Sequence, residues 1–207
     1  MMKHTILALF IAIITASAAS AQTAKLIPQA QALSEFGKCI LGQAPEKSKA
    51  LMATGLNTPQ EYKLARQLVL ANNGCIQKYA SLSMQTGQIR GAIAETILVS
   101  DAGRMKQFAS APLAAAIRPD FAEGRAFVYS YAKCLAAADM PKSVALLQTP
   151  HGSPEERQSF VVYGETVSSC MPLKARYRVN IQDVRNHIAV ALYELNEQSK
   201  TKAATGG

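Results

Sequence analysis

Four cysteines fall in two pairs of equal spacing. Cys39 and Cys75 lie 36 positions apart, as do Cys134 and Cys170, and the second pair follows the first at an offset of 95. When residues 36–98 are laid on 131–193 at that offset, 14 of 63 positions are identical without a gap. Average composition would give about four. The matches are not confined to cysteine. Lys38, Lys47, Ser48, Leu51, Thr54, Pro59, Glu61, Arg90, Ile93 and Ala94 each recur 95 residues later. A chain of this kind reads as one unit of about 65 residues written twice.

Each copy reads as helices. TPQEYKLARQLVLANNGC (58–75) and SPEERQSFVVYGETVSSC (153–170) both open on a hydroxyl residue, then proline, then glutamate at the third position after the hydroxyl. This is a capping box with Pro at the first helical position, the chemistry that satisfies free amides at a helix start. Leu64, Leu68, Ala71 and Cys75 follow at helical spacing, as do Phe160, Tyr163, Val167 and Cys170. Short helices opened by proline precede them at 45–54 and 141–149, and turns at 55–57 and 150–152 intervene. Further helices are predicted at 30–41 and 121–138, and at 89–100 and 181–197. In the last of these Ile181, Val184, Ile188, Leu192 and Leu195 form an apolar stripe. No strand-like alternation occurs. The fold class is all-α: two similar disulfide-stapled multi-helix units packed as one helical domain.

The N-terminus sets the compartment. Lys3 precedes the apolar run from Ile6 to Ile14, and Ala19-Ser20-Ala21 supplies a small-residue cleavage site before Gln22. That pattern is a signal peptide, and the run is too short to span a bilayer. The expected localisation is periplasmic or secreted. Four cysteines in an exported chain imply two disulfides, and three connectivities are possible. The repeat favours Cys39–Cys75 and Cys134–Cys170, the same bridge in each copy. No C-x-x-C or cysteine–histidine spacing suggests a metal or redox site. The expected organisation is a signal peptide (1–21), a first helical unit (22–101), a linker (102–120), a second helical unit (121–198) and a disordered tail (199–207).

This layout resembles a group of uncharacterised secreted alphaproteobacterial helical proteins with duplicated two-Cys units. The residues that carry the resemblance are Lys38-Cys39, Leu51-Met52-Ala53-Thr54, Thr58-Pro59-Gln60-Glu61, Cys75 and Arg90-Gly91-Ala92-Ile93-Ala94-Glu95. The second copy keeps Lys133-Cys134, Ser153-Pro154-Glu155-Glu156 and Cys170, and departs at Arg185-Asn186-His187-Ile188-Ala189-Val190. The resemblance implies export and paired cysteines. It implies no catalytic activity.

Catalytic chemistry finds little support in the residues. After export the histidines are His151, in a Pro-His-Gly turn and read as a solvated loop residue, and His187, one helical turn after Asp183 and read as half of a surface pair. Glu95 and Glu165 are acids without a distinguishing context. No G-x-S-x-G or phosphate-binding loop is present. Catalytic residues, metal and cofactor are therefore all assigned as none. Arg90 and Arg185 stand apart. Both are placed at the start of the last helix of their copy, where the macrodipole disfavours a cation, so each is expected to be buried on carbonyls or a carboxylate, or else to hold an anion.

The chain carries 22 Lys+Arg against 14 Asp+Glu, a net charge of +8. The densest cluster is LKARYR, with Lys174, Arg176 and Arg178 as a basic patch. Basic patches attract polyanions, and nothing resembles a nucleic-acid module. The functional expectation is a non-enzymatic exported binding or interaction module, whose partner is an anionic envelope component or a protein, with no transmembrane span. The alternative is a glycosidase-like envelope hydrolase with a carboxylate pair drawn from separate helices.

Overall fold

The computed structural model describes residues 27–77, 79, 82–113, 124–171 and 180–205, with side chains as far as Thr201. The expected signal peptide and the basic cluster of Lys174, Arg176 and Arg178 lie outside the described residues. Among those described are ten α-helices and no strand: α1 (Gln29–Gln43), α2 (Pro45–Met52), α3 (Pro59–Ala71), α4 (Thr86–Ser100), α5 (Ala102–Ala109), α6 (Gly124–Ala138), α7 (Met140–Gln148), α8 (Pro154–Val162), α9 (Gly164–Cys170) and α10 (Ile181–Thr205).

The repeat is visible in the helix starts. Helices α1 and α6, α2 and α7, α3 and α8, and α4 and α10 each begin 95 residues apart, the offset of the cysteine pairs. The disulfides are Cys39–Cys75 and Cys134–Cys170, with Cα–Cα distances of 5.7 and 5.8 Å. Each ties the first helix of its unit to the end of the segment that returns from the capped turn.

The caps work through the hydroxyl and the carboxylate together. Thr58 Oγ1 accepts from the Glu61 amide at 3.2 Å, and Ser153 Oγ accepts from the Glu156 amide at 3.0 Å. The carboxylates reach one residue further back than a capping box requires. They accept from the amides of Asn57 and Gly152, both at 2.8 Å. Those two residues have positive φ, 58° and 72°, which turns their amides inward.

The units meet along α4 and α10, which pack on each other more extensively than any other pair. A Cβ on Gly91 would lie 2.5 Å from Asn186 Cβ. Gly91 and Asn186 are themselves 95 residues apart. So are Gln88 and Asp183, whose side chains meet at 3.4 Å. Residues that meet their own counterpart lie on a pseudo-two-fold axis, so the two long helices cross there. Helix α1 packs on α4, and α6 packs on α10. One continuous core results, with Phe36, Leu51, Leu68 and Ile93 from the first unit and Tyr131, Leu146, Tyr163 and Ile188 from the second.

Four local expectations need correction. The stretch 102–120, read as a linker, contains α5, capped by Asp101 Oδ1 on the Arg104 amide at 2.9 Å and anchored by buried Met105 and Phe108. It corresponds to the second half of α10, with a break at Asp101 where the second unit runs straight through. The tail from Ser199, read as disordered, is helical to Thr205. An already formed helix propagates cheaply through Lys200, paired with Glu197 at 2.8 Å, and through two alanines. The segment 153–170 is not one helix. It breaks at Gly164, whose φ of +40° suits glycine. Finally, Arg90 and Arg185 are the fifth residues of α4 and α10, beyond the first turn where the macrodipole penalty is strongest.

Candidate functional site

Arg90 and Arg185 are the largest side chains in the interior, with 2% and 1% of the side chain exposed. Each guanidinium crosses to the end of the short helix of its own unit. Arg90 donates to the carbonyls of Leu51 (3.0 Å), Met52 (2.9 Å) and Thr54 (3.0 Å) and to Thr54 Oγ1 (3.0 Å). Arg185 donates to the carbonyls of Leu147 and Thr149 (both 3.0 Å) and to Thr149 Oγ1 (3.1 Å). The last carbonyls of a helix lack intrahelical partners and carry the negative end of its dipole. A five-donor planar cation fits that place, and this explains an arginine here in both copies.

The carboxylates around the two arginines differ. In the second unit Glu156 Oε1 accepts from Arg185 at 2.8 Å. Its counterpart Glu61 stands 3.6 Å from Arg90 and is gripped instead by Arg125 of α6, at 2.8 and 3.0 Å. The position 95 residues before Arg125 is Ala30, which lies against Gly152. Arg185 has a second acid. Glu95 of α4 takes both Nη2 (2.7 Å) and Nε (3.2 Å) of Arg185. His151 Nε2 lies 2.9 Å from the same carboxylate.

Burial alone would raise the Glu95 pKa. Hydrogen bonds from His151 and Arg185 outweigh it and hold Glu95 below the usual carboxylate range. An ionised carboxylate only accepts, so His151 carries its proton on Nε2. Its Nδ1 is buried without a partner. Burial works against the charge of Arg185 too, and Glu95 and Glu156 prevail, raising its pKa above the ordinary value. Arg90 shifts the other way: burial lowers it, and Glu61 and Glu194 compensate only in part.

Glu95, His151 and Arg185 form the floor of a cleft of about 560 Å³ between α1, α4 and the turn after α7. Its walls include Ser34, Glu35 and Lys38 of α1 and Thr96 and Val99 of α4. The cleft falls within the size range of small-molecule sites.

The corresponding place in the other unit is filled. Tyr129 stands where the cleft has Ser34, and its hydroxyl donates to Glu194, the counterpart of Val99. The Lys133 ammonium, counterpart of Lys38, lies 6.0 Å from the centre of the Tyr129 ring. Leu56 stands in place of His151, and Val190 in place of Glu95. Burial, then the Glu194 carboxylate, push the Tyr129 phenol well above its ordinary pKa. The repeat therefore has two equivalent positions, one open and one closed by its own side chain.

Several functional readings of single residues change. His151 is no solvated loop residue: its side chain is 9% exposed and bonded to Glu95. His187 is buried and bonds through Nδ1 to the Asp183 carbonyl at 2.7 Å, not to the carboxylate. Its burial lowers its pKa. Glu165 lies on another face, in a groove with Asp139 and Lys142. Arg125, Ser34 and Tyr129 carried no signal on their own. The differences between copies at the 95-residue offset could have marked Ser34 and Tyr129.

Among the described residues no group of three or more His, Cys, Asp or Glu side chains is placed to hold a metal ion, and no helix is long and apolar enough to cross a membrane. Comparisons with protein-family models, curated proteins and solved structures find no match to this chain.

Proposed function

We propose that this chain is an exported, non-enzymatic binding protein of the cell envelope, periplasmic or secreted, and that its ligand sits in the cleft between α1 and α4. The observation that carries the reading is the asymmetry of the repeat. One position is closed by Tyr129 bonded to Glu194, and its counterpart is left open over a buried Glu95–His151–Arg185 cluster. The leader-like N-terminus and two disulfides support export. The resemblance to secreted alphaproteobacterial two-Cys proteins agrees with it.

Glu35 and Glu95, from separate helices, both line the cleft, which is the arrangement a glycosidase-like hydrolase would need. Such an enzyme keeps one carboxyl protonated as general acid. Glu95 is taken up by Arg185 and His151, and Glu35 accepts from the Tyr79 hydroxyl at 2.9 Å and from Gln31, so both carboxylates are engaged within the chain, which favours binding over hydrolysis.

The test is native mass spectrometry of the mature chain after incubation with envelope extract, beside Ser34→Tyr, which puts the tyrosine of the closed position into the open one. The expected result is a co-retained small molecule or fragment on the wild type and none on the variant. Identical bound masses on both would remove the cleft from the reading.

A further inference from the structure

The closed position shows what kind of group fits the open one. Helices α1 and α6 are both 15 residues long and start 95 apart, and the arginines beneath them make matching bonds to matching carbonyls. The local frames therefore correspond. In the closed position the occupant is a phenol. Its ring lies under the Lys133 ammonium at 6.0 Å and beside the His187 ring at 6.3 Å, and its hydroxyl is bonded to a carboxylate near Arg90. In the open position the side chain that would supply the ring is Ser34. Lys38 sits one turn later on α1, as Lys133 does after Tyr129 on α6. At the inner end the counterparts of Glu194 and His187 are Val99 and Ala92, and the carboxylate beside the arginine comes from one turn earlier in α4: Glu95, 2.7 Å from Arg185.

We propose that the open cleft binds a phenolic ring at the place Tyr129 takes in its counterpart, with Lys38 over the ring face and the hydroxyl directed one turn of α4 earlier than in Tyr129, to the Glu95–Arg185 pair. A flat face under an ammonium is attracted through the ring quadrupole. An ionised Glu95 accepts from a phenol hydroxyl. The cleft is larger than one ring, so the phenol carries a substituent that extends past Lys38 and Glu35 toward solvent. Two sources supply this chemistry, a free small phenol or a tyrosine side chain of a polypeptide. The inference rests on the binding reading and narrows it.

The experiment is isothermal titration calorimetry of the full mature chain with 4-hydroxyphenylacetate, tyramine and a blocked Gly-Tyr-Gly peptide, with cyclohexanol and N-acetylglucosamine as non-aromatic probes. One phenolic probe should bind per chain, with no saturable heat from cyclohexanol. A tighter blocked peptide assigns the site to a polypeptide tyrosine, and a tighter free phenol to a small molecule. Ser34→Tyr should abolish binding. Lys38→Gln, at an exposed position, should weaken it about 2- to 5-fold, the range of an exposed cation–π contact. Tyr129→Ser should raise the stoichiometry from one toward two. Saturable binding of N-acetylglucosamine alone, blocked by Ser34→Tyr, would overturn the phenol proposal and leave the binding reading standing. Phenol binding unchanged in both Ser34→Tyr and Lys38→Gln would overturn the assignment to this cleft.

Discussion

Replacing Arg185 with alanine should cost more than replacing Arg90, although the two occupy the same place in their units. Arg185→Ala strips a guanidinium from two buried carboxylates, Glu95 and Glu156, and from the carbonyls of Leu147 and Thr149. Removing one partner of a buried ion pair costs about 3–5 kcal/mol. Arg90→Ala removes a comparable set of carbonyl bonds, but Glu61 keeps both contacts to Arg125. Its cost is the unmet polar partners alone, about 1–3 kcal/mol. For a chain of this length each kcal/mol lowers the melting temperature by about 2–4 °C. Arg185→Ala should therefore melt about 6–20 °C below wild type, and Arg90→Ala about 2–12 °C below it. Calorimetric melts of both variants at neutral pH provide the comparison. A second readout separates charge from packing. Arg185 helps hold Glu95 ionised, so without it Glu95 takes up a proton more readily, and the gap between Arg185→Ala and wild type should narrow as pH falls. Equal melting temperatures for wild type and Arg185→Ala, or a larger loss from Arg90→Ala, would refute the argument.

The pH dependence of stability follows from Glu95 and His187. The folded pKa of Glu95 is depressed, so its contribution is complete above the unfolded carboxylate value of about 4.3 and is lost as pH falls through the lower folded value. His187 is depressed as well, so its contribution is complete above about 6.5 and declines as pH falls below that. Urea midpoints should thus drop in two stages on acidification, and His187→Gln should flatten the upper one; a midpoint that rises from about pH 7 to about pH 5 would contradict the His187 stage, and one that rises as pH falls below about 4 would contradict the Glu95 stage. Gly91→Ala places a methyl 2.5 Å from Asn186 Cβ at the helix crossing, with no flexible side-chain end to yield, and should cost about 1–3 kcal/mol or more. Gly42→Ala in α1 meets nothing within 4 Å and should stabilise by about 0.5–1 kcal/mol; similar denaturation midpoints for these two variants would refute the close crossing.

The fold was legible where local chemistry repeats. Equal cysteine spacings, proline after a hydroxyl and glutamate at the third position mark helices whatever surrounds them, and their recurrence carried the two-unit plan. Residues that act across the axis were not legible in that way. Glu95 meets Arg185 and His151 from the other unit at sequence separations of 90 and 56. No local pattern encodes such a meeting. His151 in a Pro-His-Gly turn has the composition of a solvated loop, and only the approach of α4 buries it. The break at Gly164 and the helix α5 were missed for a related reason. Each is decided by what packs against it, the buried Tyr163 in one case and Met105 with Phe108 in the other. The open cleft is a difference between copies, and a repeat found by its identities hides its differences.

Non-reducing peptide mapping of the exported protein tests the central claim, a twice-written disulfide-stapled helical unit outside the cytoplasm, in one measurement. The account predicts linked peptides containing Cys39 with Cys75 and Cys134 with Cys170, no free thiol, and an N-terminal peptide beginning at Gln22. Linked peptides joining Cys39 to Cys134, or four free thiols in the exported chain, would contradict it.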